Sequence, residues 1–177
     1  MNIDASWTLF LDRDGVINKR NVGGYVENVS DFYFLDAVPE AIALCKTRFG
    51  RIIVVTNQQG IGKGIMTEEQ LAAIHTYLRA QIPAIDRIYH SPFLACENNN
   101  MRKPNIGMAL AAKEDFPEID FKKSIMVGDS LSDITFGKNS GMFTVFISDR
   151  ETITSADRVF PSLFDFSNAL INDGLKK

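Results

Sequence analysis

Four runs of strand length that are apolar almost throughout set the first limit on how this chain can fold. They are Thr8-Leu9-Phe10-Leu11, Arg51-Ile52-Ile53-Val54-Val55-Thr56, Ser124-Ile125-Met126-Val127-Gly128 and Phe143-Thr144-Val145-Phe146-Ile147. None shows the regular polar alternation of a strand with one wet face. Strands of this kind are buried on both faces, which is the condition of a parallel sheet covered by helices. Helical patterns stand between them. Residues 39–46 carry proline and an acid in the first turn, and Gly50 stops them. Thr67-Glu68-Glu69-Gln70 is a capping box opening a helix to about Ala80. Residues 105–115, a short stretch from Ser132 and the tail 162–171 read as further helices, and Arg87-Ile88-Tyr89-His90 as a weaker strand. The alternation predicts an α/β fold with a central parallel sheet and helices on both faces. At 177 residues the chain is expected to form one domain, residues 1–177.

Composition narrows the class. With 45% hydrophobic and 23% charged residues the chain reads as an ordinary globular protein. A net charge of −3 supplies no basic field, so no nucleic-acid partner is expected. No apolar run reaches membrane-spanning length, and Met1-Asn2-Ile3-Asp4 does not open a signal peptide. Two cysteines make no disulfide framework, and Cys45 falls in a helical pattern as a small core residue. The expectation is a cytoplasmic protein without a membrane partner.

In a parallel sheet of this kind ligands gather at the carboxyl ends of the strands. The first strand ends in Asp12-Arg13-Asp14-Gly15, the second in Thr56-Asn57-Gln58, and the fourth in Gly128-Asp129-Ser130 with Asp133 one turn on. Arg102-Lys103-Pro104 lies between the third and fourth strands. Residues two apart in a strand share a side, so Asp12 and Asp14 are expected to project together. Two such carboxylates repel unless a cation stands between them, and Mg²⁺ takes oxygen ligands while leaving room for phosphate. Taken singly, each residue has a structural reading. Thr56 can end a strand, Arg102-Lys103 can be a solvated surface pair, and Asp129 can cap a helix. Jointly they form a set suited to phosphoryl chemistry: a carboxylate nucleophile, a metal site, a lysine against developing charge, and a hydroxyl for phosphate oxygens. His75 lies within a helical pattern and reads as structural.

Four segments in order, Asp12-Arg13-Asp14-Gly15-Val16-Ile17-Asn18, Val55-Thr56-Asn57-Gln58, Arg102-Lys103-Pro104 and Val127-Gly128-Asp129-Ser130-Leu131-Ser132-Asp133, resemble the motifs of the haloacid dehalogenase-like superfamily. More narrowly, the chain resembles the small cap-less branch that holds D-glycero-D-manno-heptose 1,7-bisphosphate phosphatase and histidinol-phosphate phosphatase. The resemblance covers about residues 8–171. It implies a three-layer α/β sandwich without a large cap domain, and Mg²⁺-dependent hydrolysis of a small phosphorylated metabolite. By the same resemblance Asp12 is the nucleophile and Asp14 the acid/base. Thr56, Asn57, Arg102 and Lys103 bind substrate. Asp12, Asp129 and the main-chain carbonyl of Asp14 hold the metal, with Asp133 in support.

The chain departs from the branch at one loop. Relatives carry a Cys-x-His pair and a Cys-x-Cys that hold zinc, where this chain has His90, Pro92, Asn99 and Met101. His90 and Cys96 are the soft ligands left nearby, and structural zinc takes four, so zinc is not expected. Gly24-Tyr25-Val26 and Gly60-Ile61-Gly62-Lys63-Gly64 lean toward the heptose bisphosphate enzyme, with histidinol phosphate as the alternative substrate. A phosphate-sensing or scaffold protein on the same fold is the alternative of another class. Its mark would be a missing nucleophile or acid, and both aspartates are present.

Overall fold

The computed structural model describes residues 1–150 and 154–172. Six strands form one sheet: β1 (Thr8–Leu11), β2 (Arg51–Asn57), β3 (Arg87–Ser91), β4 (Ser124–Gly128), β5 (Phe143–Ile147) and β6 (Arg158–Phe160). Their order across the sheet is β3-β2-β1-β4-β5-β6, and every neighbouring pair is parallel. The helices are α1 (Val38–Lys46), α2 (Gln59–Gly62), α3 (Glu68–Gln81), α4 (Gly107–Asp115), α5 (Leu131–Ser140) and α6 (Leu163–Asn172).

The apolar runs divide by pleat. Leu9, Leu11, Ile52, Val54, Ile125 and Val127 face one core with α1, α3 and α6, whereas Phe10, Ile53, Val55 and Met126 face a second core with α4 and α5. Alternate residues thus serve opposite faces, which is why the strands need apolar residues at every step. The result is the expected three-layer α/β sandwich. No described helix is long and apolar enough to cross a membrane.

Two elements differ from expectation. β6 is a three-residue edge strand with a polar start, too short to show a period. The glycines at 60 and 62, expected to shape a turn or loop, fall in the single helical turn α2. Loop 19–31, the long polar segment, ends in one short 3-10 turn at Val29–Asp31.

The strand order fixes where a site can form. The chain runs outward from β1 through β2 to β3, then crosses to β4 on the other side of β1. The carboxyl ends of β1 and β4 therefore flank the switch point, where a crevice opens. α6 closes the far layer through Phe166, which is fully buried and meets the Phe160 ring edge-on at 5.6 Å. Phe166→Ala is expected to lower stability by about 3–5 kcal/mol, as burial losses and a residual cavity add. Urea denaturation reads this directly, and a loss within about 0.5 kcal/mol would place α6 outside the cooperative core.

Candidate active site

Asp12 follows β1 directly and continues its ladder: its N–H donates to the Val127 carbonyl of β4 at 2.9 Å. This sets its side chain at the rim beside the end of β4, where Asp129 begins the next loop. Gly15 makes the close approach possible. It sits at φ +94°, and a Cβ there would stand 1.9 Å from Asp129 Oδ2.

Lys103 ties the rim together. Its Nζ donates to Asp12 Oδ1 at 2.8 Å and to the Val55 carbonyl at 2.7 Å, and lies 2.6 Å from Asp133 Oδ1. The side chain is almost wholly buried. Burial alone would favour the neutral amine, but the charges of Asp12 and Asp133 outweigh it and the pKa is raised. Asn57 fixes the main chain of the same residue, donating to the Lys103 carbonyl and accepting its N–H, both at 3.0 Å. Asn57 lines the cavity as expected of a substrate contact, yet its amide is committed to bracing Lys103. The Lys103–Pro104 peptide is cis.

Asp14 stands apart from Asp12 in its partners. Because β1 ends at Leu11, the two acids are on a turn and not on a continuing strand. Arg13 Nη2 donates to both Asp14 oxygens at 3.0 and 2.9 Å, Asn18 Nδ2 to Oδ1 at 2.9 Å and Gln58 Nε2 to Oδ2 at 2.8 Å. Burial pushes the Asp14 pKa up, but the Arg13 charge and the bonds from Asn18, Arg13 and Gln58 prevail and hold it below the ordinary carboxylate value. Gln58 Nε2 also donates to Thr56 Oγ1 at 2.8 Å, which leaves the Thr56 hydroxyl proton free to donate.

Oxygens of Asp12, Asp129 and Asp133 lie within 4.8 Å of one another. Burial raises the Asp12 pKa, with Asp133 and Asp129 adding to the shift and Lys103 opposing it. Burial likewise raises Asp129, to about 6, against the pull of Arg20. Such a set of hard oxygen donors, too negative for its surroundings, fits a divalent cation. Arg20 marks the same spot: its Nη2 donates to Asp129 Oδ1 at 2.7 Å and to the Asp14 carbonyl at 3.2 Å. The carbonyl and carboxylate expected to face a metal thus share one guanidinium. Asp133 Oδ2 accepts from Ser130 N at 3.0 Å and Ser130 Oγ at 2.6 Å, so Asp133 also secures the start of α5.

These groups open on a cavity of about 670 Å³ that Asp12, Asp14, Thr56, Asn57, Arg102, Lys103 and Asp133 line. Loop 20–26, Lys63 and Ile65 form its outer wall. Arg102 is held by Nη1 donating to the Phe93 carbonyl at 3.0 Å. Sequence reasoning left out Arg13, Asn18, Arg20 and Gln58. Gln58 and Asn18 lie within the quoted motifs, and their amides next to an acid were the available signal. Arg20 pairs with a residue 109 positions away, which no local pattern reveals. In the loop expected to lack zinc, His90 Nε2 lies 3.0 Å from Glu68 Oε2 and Cys96 is exposed.

Residues 8–167 match the family described as polynucleotide kinase 3 phosphatase. A D-glycero-alpha-D-manno-heptose-1,7-bisphosphate 7-phosphatase of Mycobacterium bovis is 36% identical over 174 residues, covering 93% of this chain and 91% of its own. The enzyme of the same name from Campylobacter jejuni is 38% identical over 147 residues, covering 81% and 83%. Among solved structures, D,D-heptose 1,7-bisphosphate phosphatase from B. bronchiseptica, complexed with magnesium and phosphate, superposes with a TM-score of 0.82 at 24% identity, covering 93% and 97%.

The raised carboxylates give a pH-dependent readout of cation binding. Asp129 has a folded pKa above its unfolded value, so its favourable share of stability is whole below the unfolded pKa and is lost as pH rises through about 6. A divalent cation binds the ionised form and relieves the repulsion. The rise in Tm on adding Mg²⁺ is therefore expected to grow from about pH 5 to about pH 8. A rise that is flat or shrinks over that span would remove these carboxylates as the cation site.

Proposed function

The chain belongs to the haloacid dehalogenase-like superfamily and, within it, to the polynucleotide kinase 3 phosphatase family, and from that membership we propose that it is a Mg²⁺-dependent phosphomonoesterase removing the 7-phosphate of a heptose 1,7-bisphosphate. One observation carries the reading: a buried carboxylate at the tip of β1, with a buried ammonium 2.8 Å from it and an Asp129 oxygen within 4.8 Å.

The reaction follows from these positions. An Asp12 oxygen attacks phosphorus, the ester P–O bond breaks, and the leaving oxygen takes a proton from Asp14. Asp14, now ionised, draws a proton from water. That water attacks the aspartyl-phosphate at phosphorus, and the P–O bond to Asp12 breaks to release inorganic phosphate. The clamp of Arg13, Asn18 and Gln58 favours the ionised form of Asp14, which the second step needs. The negative charge of an arriving phosphate pushes the other way and favours the proton that the first step needs. Lys103 is held charged beside Asp12 and balances the phosphoryl oxygens, with Thr56 offering its hydroxyl proton. Asp12, Asp129 and the Asp14 carbonyl would hold Mg²⁺, which when bound neutralises charge on the transferring group. Arg20 must then leave that position. We expect Mg²⁺ to suffice without zinc, because a structural zinc takes four ligands and the loop offers Pro92, Asn99 and Met101 at three of the positions concerned.

Charge at the outer wall favours a bisphosphate. Arg20, Lys63 and Arg102 line the cavity beyond Lys103, which suits a second phosphate. Histidinol phosphate would place an ammonium against the same cations. A polynucleotide end would meet a chain of net charge −3. The test is turnover in Mg²⁺ of heptose 1,7-bisphosphate, histidinol phosphate and a 3′-phosphorylated oligonucleotide. The heptose ester is expected to lead, and preference for either other ester would overturn the substrate.

Asp12→Asn should abolish turnover with Tm preserved, because an amide cannot serve as the nucleophile. Activity within a few-fold of the wild type would dismiss Asp12 from that role. Asp14→Asn should fail in a different manner. Its loss should be about a hundred-fold or more on an alkyl phosphate and far smaller on nitrophenyl phosphate, whose leaving group needs no proton. Phosphoenzyme should accumulate in a burst with the nitrophenyl ester. Equal losses on both esters without a burst would leave Asp14 no part in proton transfer.

A further inference from the structure

Arg13 stands between the two site aspartates in sequence, yet it points away from the cavity and is fully buried. Its guanidinium forks onto both Asp14 oxygens through Nη2, and Nη1 lies 3.3 Å from His75 Nε2 on α3. Nε has no hydrogen-bond partner among the described residues, and the Phe32 ring centroid stands 5.9 Å from Cζ. Apart from Asp14, then, His75 is the polar group that fixes how this guanidinium is turned. A guanidinium donates and never accepts, so His75 Nε2 must be the acceptor, with the ring proton on Nδ1. That requires a neutral imidazole. Burial, the Arg13 charge and the neighbouring His90 hold the His75 pKa down to about 3, so the ring is neutral across the working range.

Packing does not ask for histidine here. The core stripe of α3 is Leu71, Ile74 and Leu78, and His75 lies beside it on the wall of a separate groove of about 640 Å³ with His90 and Glu68. What the position supplies is an acceptor for Arg13. We infer that His75 is a positioning residue for the reaction, acting through Arg13 to aim the Asp14 carboxylate. The inference rests on the reading of Asp14 as the proton carrier. A proton in flight tolerates little misalignment, so a guanidinium free to swing would move Asp14 off its line to the leaving oxygen.

The test uses the full chain in Mg²⁺, with nitrophenyl phosphate and the alkyl phosphate that the wild type turns over fastest. His75→Leu removes the acceptor and keeps the bulk; if it fails to fold, His75→Met replaces it. Its kcat on the alkyl ester should fall about ten-fold at nearly constant KM, and on the nitrophenyl ester about two-fold at most. His75→Gln, whose amide oxygen can accept from Arg13, should recover most of the loss. An equal fall on both esters, no fall on either, or a glutamine variant as impaired as the leucine one would overturn the inference. Asp14→Asn run beside them separates the failures. If it discriminates between the esters and His75→Leu does not, His75 alone is dismissed. If Asp14→Asn does not discriminate, the proton-carrier role falls and the inference with it.

Discussion

Everything at the rim depends on one buried ammonium. Lys103 Nζ reaches Asp12 after β1, the Val55 carbonyl of β2 and Asp133 in α5, so three separate elements meet on one charge. Neither carboxylate would be tolerable there without it. Two carboxylates buried side by side would take up protons or separate, and a buried ammonium without them would lose its own. Removing the lysine would leave both carboxylates uncompensated, which is strongly destabilising, whereas loss of the Asp12 charge leaves Lys103 still paired with Asp133. The Asn57 brace shows how closely the lysine is held: donor and acceptor of one amide fix its main chain on both sides.

Around that fixed charge the acids divide into two populations. Asp14 has its own counter-ion in Arg13 and is held ionised. Asp12 and Asp129 are raised by burial and by the Asp133 charge, and Lys103 and, at Asp129, Arg20 relieve this only in part. Separating the pKa values of neighbouring carboxylates is how one site assigns them different work. The shortfall of positive charge is met by Arg20, whose side chain is 52% exposed, in contrast to Lys103 at 2%. The buried cation is structural to the site. The half-exposed one is on a surface arm, free to exchange with a divalent ion and to turn toward a phosphate.

Much of this was legible in the sequence, for a physical reason. Strands buried on both faces must be apolar at every step, so β1, β2, β4 and β5 declare themselves. Polar residues at or just beyond the ends of such strands each have a structural reading, but their joint occurrence along one rim does not, so Asp12, Thr56, Lys103, Asp129 and Asp133 could be singled out as a set before any contact was seen. β6 escaped because three edge residues carry no period. Asn57 was legible as a member of the rim but not as a brace, since an amide serves a main chain and a phosphate equally well. Arg13 and His75 escaped as a pair because their contact spans 62 residues, and each alone looks like packing. Arg20 escaped because a loop cation gives no sign of the acid it meets.

The Asp12-Arg13-Asp14-Gly15 turn packs these requirements into four residues. Asp12 extends the β1 ladder to β4, which sets the proposed nucleophile at the switch point. The chain then bends, so Asp14 does not stack on Asp12 as it would in a continuing strand. Arg13 is carried to the opposite side, where its long side chain curls back onto the carboxylate of its own neighbour. Gly15, at a positive φ and within contact of Asp129, lets the β4 loop close against the bend. A rigid pair of like charges is thereby converted into two carboxylates with separate partners: one faces the lysine and the cation position, the other an arginine that the cavity never sees. The chemistry proposed for the pair, attack by one and proton transfer by the other, requires that separation, and the turn supplies it before substrate or metal arrives.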